Sequence, residues 1–152
     1  CAGRPDADRT MLAKIGQRAE NDFVGCNCGI MDQLVSAQGV EGAALLIDCR
    51  SLDFTPVRAP GHLAILIVHS GVVHGHAAGH YNDRRRQCDA AAAALGVRRL
   101  RDADEQMLVR RADTLDPVAF RRARHVITEN ARTERAARAF GAGDLNTLGD
   151  LM

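Results

Sequence analysis

Two short apolar runs, Ala43 to Cys49 and Leu63 to Val68, read as buried strands, and both fall in the first half of the chain. Beyond Tyr81 the pattern gives way to apolar residues at helical spacing. An alanine-rich stretch from Asn82 to Leu95 ends at Gly96, a residue suited to closing a helix. A short element follows, with Asp102 or Asp104 placed before Met107 and Leu108. Asp116-Pro117 opens another helix with proline at its first position, and Val118, Phe120 and Ala123 carry it towards Val126. Glu129 to Phe140 is read as a separate helix stopping at Gly141, and Asp144 starts a last one bearing Leu145, Leu148 and Leu151. Strands mostly in the first half and helices in the second make the expected fold class α+β.

The first half also carries helices. Met11, Leu12, Ile15 and Ala19 form one face of a helix over Arg9 to Glu20, capped by Asp8 or Thr10 and ended by Asn21-Asp22. A second begins near Gly29, where Met31, Leu34 and Val35 recur at helical spacing, and ends between Ser36 and Gly39. Asp53 to Gly61, with Pro56, Pro60 and Gly61, is the best boundary or crossover. The Gly/His-rich segment after Ser70-Gly71, up to Gly79, reads as a loop or a frayed helix start.

Bulk properties narrow the function. A length of 152 residues suffices for one substantial core or two small halves. The net charge of +1 gives no reason to expect nucleic acid or a membrane as partner, and no stretch is long and apolar enough to span a bilayer. Arg84, Arg85 and Arg86 point three ways on a helix, so their charge belongs to a solvated face or to internal pairs; with no Trp and one Tyr, nothing supports strand stacking. Five cysteines (Cys1, Cys26, Cys28, Cys49, Cys88) make no secreted disulfide framework, so reduced thiols and a cytoplasmic location are expected. Cys26-x-Cys28 lacks a second pair, and His69, His74, His76 and His80 lack nearby carboxylates or thiols, so neither group is read as a metal site. Cys1 to Asp8 is too short and polar for a signal peptide. The chain lacks an initial methionine and stops at Leu151-Met152 within a helical pattern, so both ends are expected to be cuts through a longer protein.

The chemistry centres on Phe23-Val24-Gly25-Cys26-Asn27-Cys28-Gly29-Ile30-Met31-Asp32-Gln33, a polar loop bracketed by two glycines. Asp32 falls in the first turn of the helix that follows, where unpaired N–H groups and the macrodipole favour an anion. Such a carboxylate can hold a hydroxyl and accept its proton, or it can simply serve the helix end; spacing leaves both open. Glu20, twelve residues earlier, can reach a hard cation or act as a capping residue. Tyr81 combines a ring face with a hydroxyl, for a ligand or for an interface.

The run C-G-I-M-D-Q (Cys28 to Gln33), preceded by Q-R-A-E-N-D-F-V-G and followed by A-L-L-I-D-C-R-S-L, resembles the galactokinases of the GHMP kinase superfamily. Tyr81-Asn82 with Arg84-Arg85-Arg86-Gln87-Cys88, and Arg124 to Asn130, resemble the same family in the same order, so the likeness runs from about Leu12 to Met152. It implies part of a two-domain GHMP kinase fold, with residues 1–56 ending an N-terminal domain and 57–152 starting a C-terminal one. It implies transfer of a phosphoryl group from ATP, with Mg2+, to the anomeric hydroxyl of galactose. By the same resemblance Asp32 is the catalytic carboxylate and sugar contact, Gly29 offers backbone to the sugar, Tyr81 contacts it from the second domain, and Glu20 is a magnesium ligand. The Gly/Ser-rich phosphate loop of the family would lie upstream of Arg9 and is not in this chain. A basic residue often found near His74 in the family is replaced here by Val72 and Val73. Two relatives of this activity are also compatible: a sibling sugar kinase acting on N-acetylgalactosamine, and a sugar- and ATP-binding sensor without catalysis.

Overall fold

The structure, a computed structural model, describes residues 8–71 and 77–152. Val72, Val73, His74 and His76, and with them half of the histidine group, lie outside the described residues, as does Cys1. No helix among the described residues is long and apolar enough to cross a membrane.

Helix α1 (Arg9–Arg18) starts as its sequence dictates: the Asp8 carboxylate accepts from the N–H groups of Thr10 and Met11 at 2.9 and 3.3 Å. It does not end at Asn21-Asp22. The backbone runs on through a π-helical turn, Ala19–Val24, and closes at Gly25, whose φ of 79° only glycine adopts without cost. Helix α2 (Met31–Gln38) lies against α1, and Ala13, Ile30 and Leu34 fill the seam between them with Ile47 and Leu52 at its edge.

Strands β1 (Ala43–Ile47) and β2 (Phe54–Arg58) form an antiparallel pair with Ala43 opposite Arg58 and Ile47 opposite Phe54. The first apolar run is therefore a strand, though half-buried. The second is not: Leu63 to Val68 takes no strand partner, and Ile65, Leu66, Ile67 and Val68 are each at least 78% exposed. A doubly buried strand needs a hydrogen-bonding edge and covers on both faces, and the described residues supply neither to this run. The partner of β1 comes instead from the stretch read as a crossover; Pro56 is tolerated there because β2 has only one neighbour.

Helix α3 (Ala77–Leu95) starts before Asn82 and closes at Gly96, with φ 73°. A 3-10 turn (Leu100–Asp102) and helix α4 (Glu105–Arg110), capped by Asp104, lead to α5 (Pro117–Ala142). Asp116 caps α5 ahead of Pro117, as expected. The expected break before Glu129 is absent, and Gly141 does not stop the helix; Gly143, with φ 72°, does. Gly141 is small for another reason. A Cβ there would stand 3.0 Å from Val57 Cγ1, so the glycine lets β2 approach the last turn of α5. Asp144 caps the final helix, α6 (Leu145–Leu151). The second core lies between α3, α4 and α5, around Ala91, Leu95, Leu100, Leu108, Ala123 and Ile127.

Two ion pairs tie the halves together. Asp48 in the β1–β2 turn meets Arg101 at 2.6 and 2.8 Å, and Arg50 meets Asp102 at 2.8 and 2.9 Å. The Arg101 guanidinium first, then the N–H groups of Arg50 and Ser51, hold the Asp48 carboxyl well below its ordinary range.

Candidate active site

The loop from Gly25 to Ile30 joins the π-helical turn to α2 and has no regular structure of its own. Its backbone polar groups are met by side chains from two helices. Gly29 N–H donates to Tyr81 Oη at 3.1 Å, Asn27 N–H donates to Asn82 Oδ1 at 3.0 Å, and Asn82 Nδ2 donates to the Gly25 carbonyl at 3.0 Å. On α1, Gln17 Nε2 donates to the Cys28 carbonyl at 3.2 Å. Thus α1 and α3, distant in sequence, clasp one loop.

The Cys28 thiol donates to Glu20 Oε2 at 3.2 Å, and Asn21 Oδ1 lies 3.4 Å from the same sulfur. Partial burial, and then the Glu20 carboxylate, push this thiol above its ordinary value, so it stays protonated at neutral pH. The π-helical turn, with one extra residue per turn, is what carries Glu20 and Asn21 ahead of the loop. Asp32 is exposed in the first turn of α2, whose N-cap residue, Ile30, supplies no side-chain cap. Among the described residues no side chain pairs with Asp32.

Of the four residues singled out from sequence, Gly29 and Tyr81 come into direct contact across 52 positions. Glu20 joins the same loop through Cys28. Asp32 stands three residues beyond Gly29 with a free carboxylate. Asn82 and Cys28 were not singled out as site residues; the one available signal was their position inside the Y-N and C-G-I-M-D-Q runs. Three arginines nearby are engaged internally: Arg85 with Asp89 at 3.5 Å, Arg86 with Asp83, and Arg122 with Gln87 at 2.8 Å.

A wide cleft of about 750 Å³ opens elsewhere, between the end of β1, α3, the Leu100–Asp102 turn and α5. No residue of the Gly25–Gln33 loop lines it, and its charges are largely spent on each other, Asp48 with Arg101 and Asp89 with Arg85 and Arg99. Size alone does not make it the site.

No protein-family model matches the chain. A crystal structure of Lactococcus lactis galactokinase complexed with galactose is similar to 96% of the chain, with a TM-score of 0.83 and 26% sequence identity. The chain spans 39% of that protein's length. The strands early in the chain and the helices that follow are thus part of a galactokinase fold.

Proposed function

We propose that this chain supplies the sugar-binding side of an ATP-dependent sugar kinase that phosphorylates the anomeric hydroxyl of galactose. The observation that carries the reading is the meeting of Gly29 and Tyr81 at 3.1 Å beside the helix turn that bears Asp32. The phenol proton, left free because its oxygen accepts from Gly29 N–H, and an unpaired carboxylate there make a polar, uncrowded edge suited to hydroxyl groups of one sugar. The likeness to a galactokinase complexed with galactose supports galactose as the sugar.

In the proposed reaction the galactose anomeric hydroxyl attacks the γ-phosphorus of ATP. The new O–P bond forms as the β–γ bridging bond breaks, ADP leaves, and the hydroxyl proton passes to the Asp32 carboxylate. Because the transition state is loose, Asp32 does as much by orienting the hydroxyl as by taking its proton. Tyr81 holds the sugar through its hydroxyl proton, while Gly29 N–H fixes the phenol oxygen and the absence of a side chain at Gly29 lets the sugar approach the backbone. The phosphates of ATP need a cation, and Mg2+ takes only one or two protein carboxylates beside phosphate oxygens. No cluster of three or more ligating side chains occurs among the described residues. Glu20, exposed on the π-helical turn, fits the role of a single carboxylate contributor, which would neutralise phosphate charge when the ion is bound. We further propose that residues 1–56 end one domain and 57–152 begin the next, that galactose and ATP are the partners, and that the protein works in the cytoplasm.

The test is galactose-dependent ADP formation by the longest open reading frame that carries this chain, measured across a panel of hexoses. Turnover on galactose, exceeding that on N-acetylgalactosamine, supports the reading. Binding of galactose and ATP without ADP formation would replace it with a sensor.

A further inference from the structure

We propose that Asn82 is the positioning residue of this site: its side-chain amide fixes the loop so that Gly29 and Asp32 are presented together to the sugar. The inference rests on the sugar-kinase reading above. Asn82 makes two hydrogen bonds of opposite sense to one short piece of backbone, accepting from Asn27 N–H and donating to the Gly25 carbonyl, each at 3.0 Å. An amide is the side-chain group that carries a neutral acceptor and a donor on one plane; a carboxylate would meet the Gly25 carbonyl with a second acceptor, and alanine with nothing.

Packing does little to confine this loop. Gly25 and Gly29 each have open space where a Cβ would project, and Asn27 is exposed. Glycines at both ends leave the backbone many conformations, so the hydrogen bonds must select one. Tyr81 and Asn82 are adjacent on α3 and reach the two ends of the loop, Tyr81 at Gly29 and Asn82 at Gly25 and Asn27. Tyr81 can touch the sugar directly; Asn82, spent on backbone, acts through the loop it holds. Its loss should therefore be felt at the sugar and not at ATP.

The experiment uses the longest reading frame containing the chain, with Asn82→Ala and the near-isosteric Asn82→Asp. Hydrogen exchange, read by mass spectrometry, is compared for peptides covering Gly25 to Met31 and for peptides from α5, alongside steady-state kinetics. Asn82→Ala should speed exchange in the loop about tenfold with α5 unchanged, and raise the galactose KM about tenfold with the ATP KM unmoved, the size of losing one or two exposed hydrogen bonds. Asn82→Asp, which keeps the bond to Asn27, should fall between wild type and Asn82→Ala. Unchanged loop exchange, or equal losses for galactose and ATP in Asn82→Asp, overturns the positioning role. If the wild type does not phosphorylate galactose yet Asn82→Ala frees the loop selectively, the clamp stands and the kinase reading falls.

Discussion

Asp32 sits in the first turn of α2 with open solvent before it, an arrangement that leaves the carboxylate accessible. Replacing it with Asn keeps the shape and removes the anionic acceptor, so kcat on galactose should fall at least about a hundredfold with little change in Tm. Near-normal turnover would remove Asp32 from the mechanism. Glu20 serves two neighbours, the Cys28 thiol and, in the proposed reaction, magnesium. Glu20→Gln should raise the magnesium concentration for half-maximal rate more than it raises the galactose KM. The same substitution removes a carboxylate that holds the Cys28 proton, so alkylation of Cys28 by iodoacetamide at pH 8 should quicken. An unaltered magnesium titration with faster alkylation would leave Glu20 as a partner of the thiol alone. At this scale the sequence identified the residue types but not their partners. Asp32 in a first helical turn follows from the spacing of Met31, Leu34 and Val35, whereas the Cys28–Glu20 contact depends on a π-helical turn that has no simple signature.

Among the elements, helices were legible wherever a cap announced them: Asp8, Asp104, Asp116 and Asp144 all accept from the first turn they precede. Glycine was read less well, because two opposite demands select it. Gly143 is required by a positive φ, while Gly141 is required by the approach of β2. Gly141→Ala gains about 1 kcal/mol of helix propensity but places a methyl against Val57, an overpacking that costs about 1–3 kcal/mol. The single variant should be neutral to destabilising by about 2 kcal/mol. In a Val57→Ala background the same change should become stabilising, and urea unfolding of the four proteins checks the sign of that coupling. The Asp48–Arg101 pair makes a different prediction. The folded state holds the Asp48 carboxyl below its ordinary value of 3.8, so the folded form binds its proton later than the unfolded one. Its contribution is complete above about pH 5 and is lost as pH falls through and below 4. Asp48→Asn should therefore flatten the fall in Tm between pH 5 and pH 2.5; an unchanged slope would mean that the pair contributes nothing.

For the molecule as a whole, the sequence conveyed the class, strands then helices, but not which apolar run pairs with which. Leu63 to Val68 looked like a better strand than Phe54–Arg58, which contains a proline, yet pairing went to the latter because it follows β1 across a short turn and packs beside α5. Four successive exposed apolar side chains from Ile65 to Val68 form a sticky segment. The 152 residues expressed alone should accordingly self-associate, and should give no galactose-dependent ADP formation for want of a phosphate-binding loop in their sequence. Ile65→Lys with Ile67→Lys should restore the monomer by analytical ultracentrifugation without restoring turnover. Monomeric wild-type material that turns over galactose would contradict both statements. The clasp on the Gly25–Gly29 loop also sets a schedule. Its partners at Tyr81 and Asn82 are synthesised 52 to 57 residues later, which at about 5–20 residues per second is roughly 3 to 11 seconds of translation. Throughout that interval the loop lacks the partners that select its conformation, and the ribosome will have completed α1 and α2 well before the site between them takes its final form.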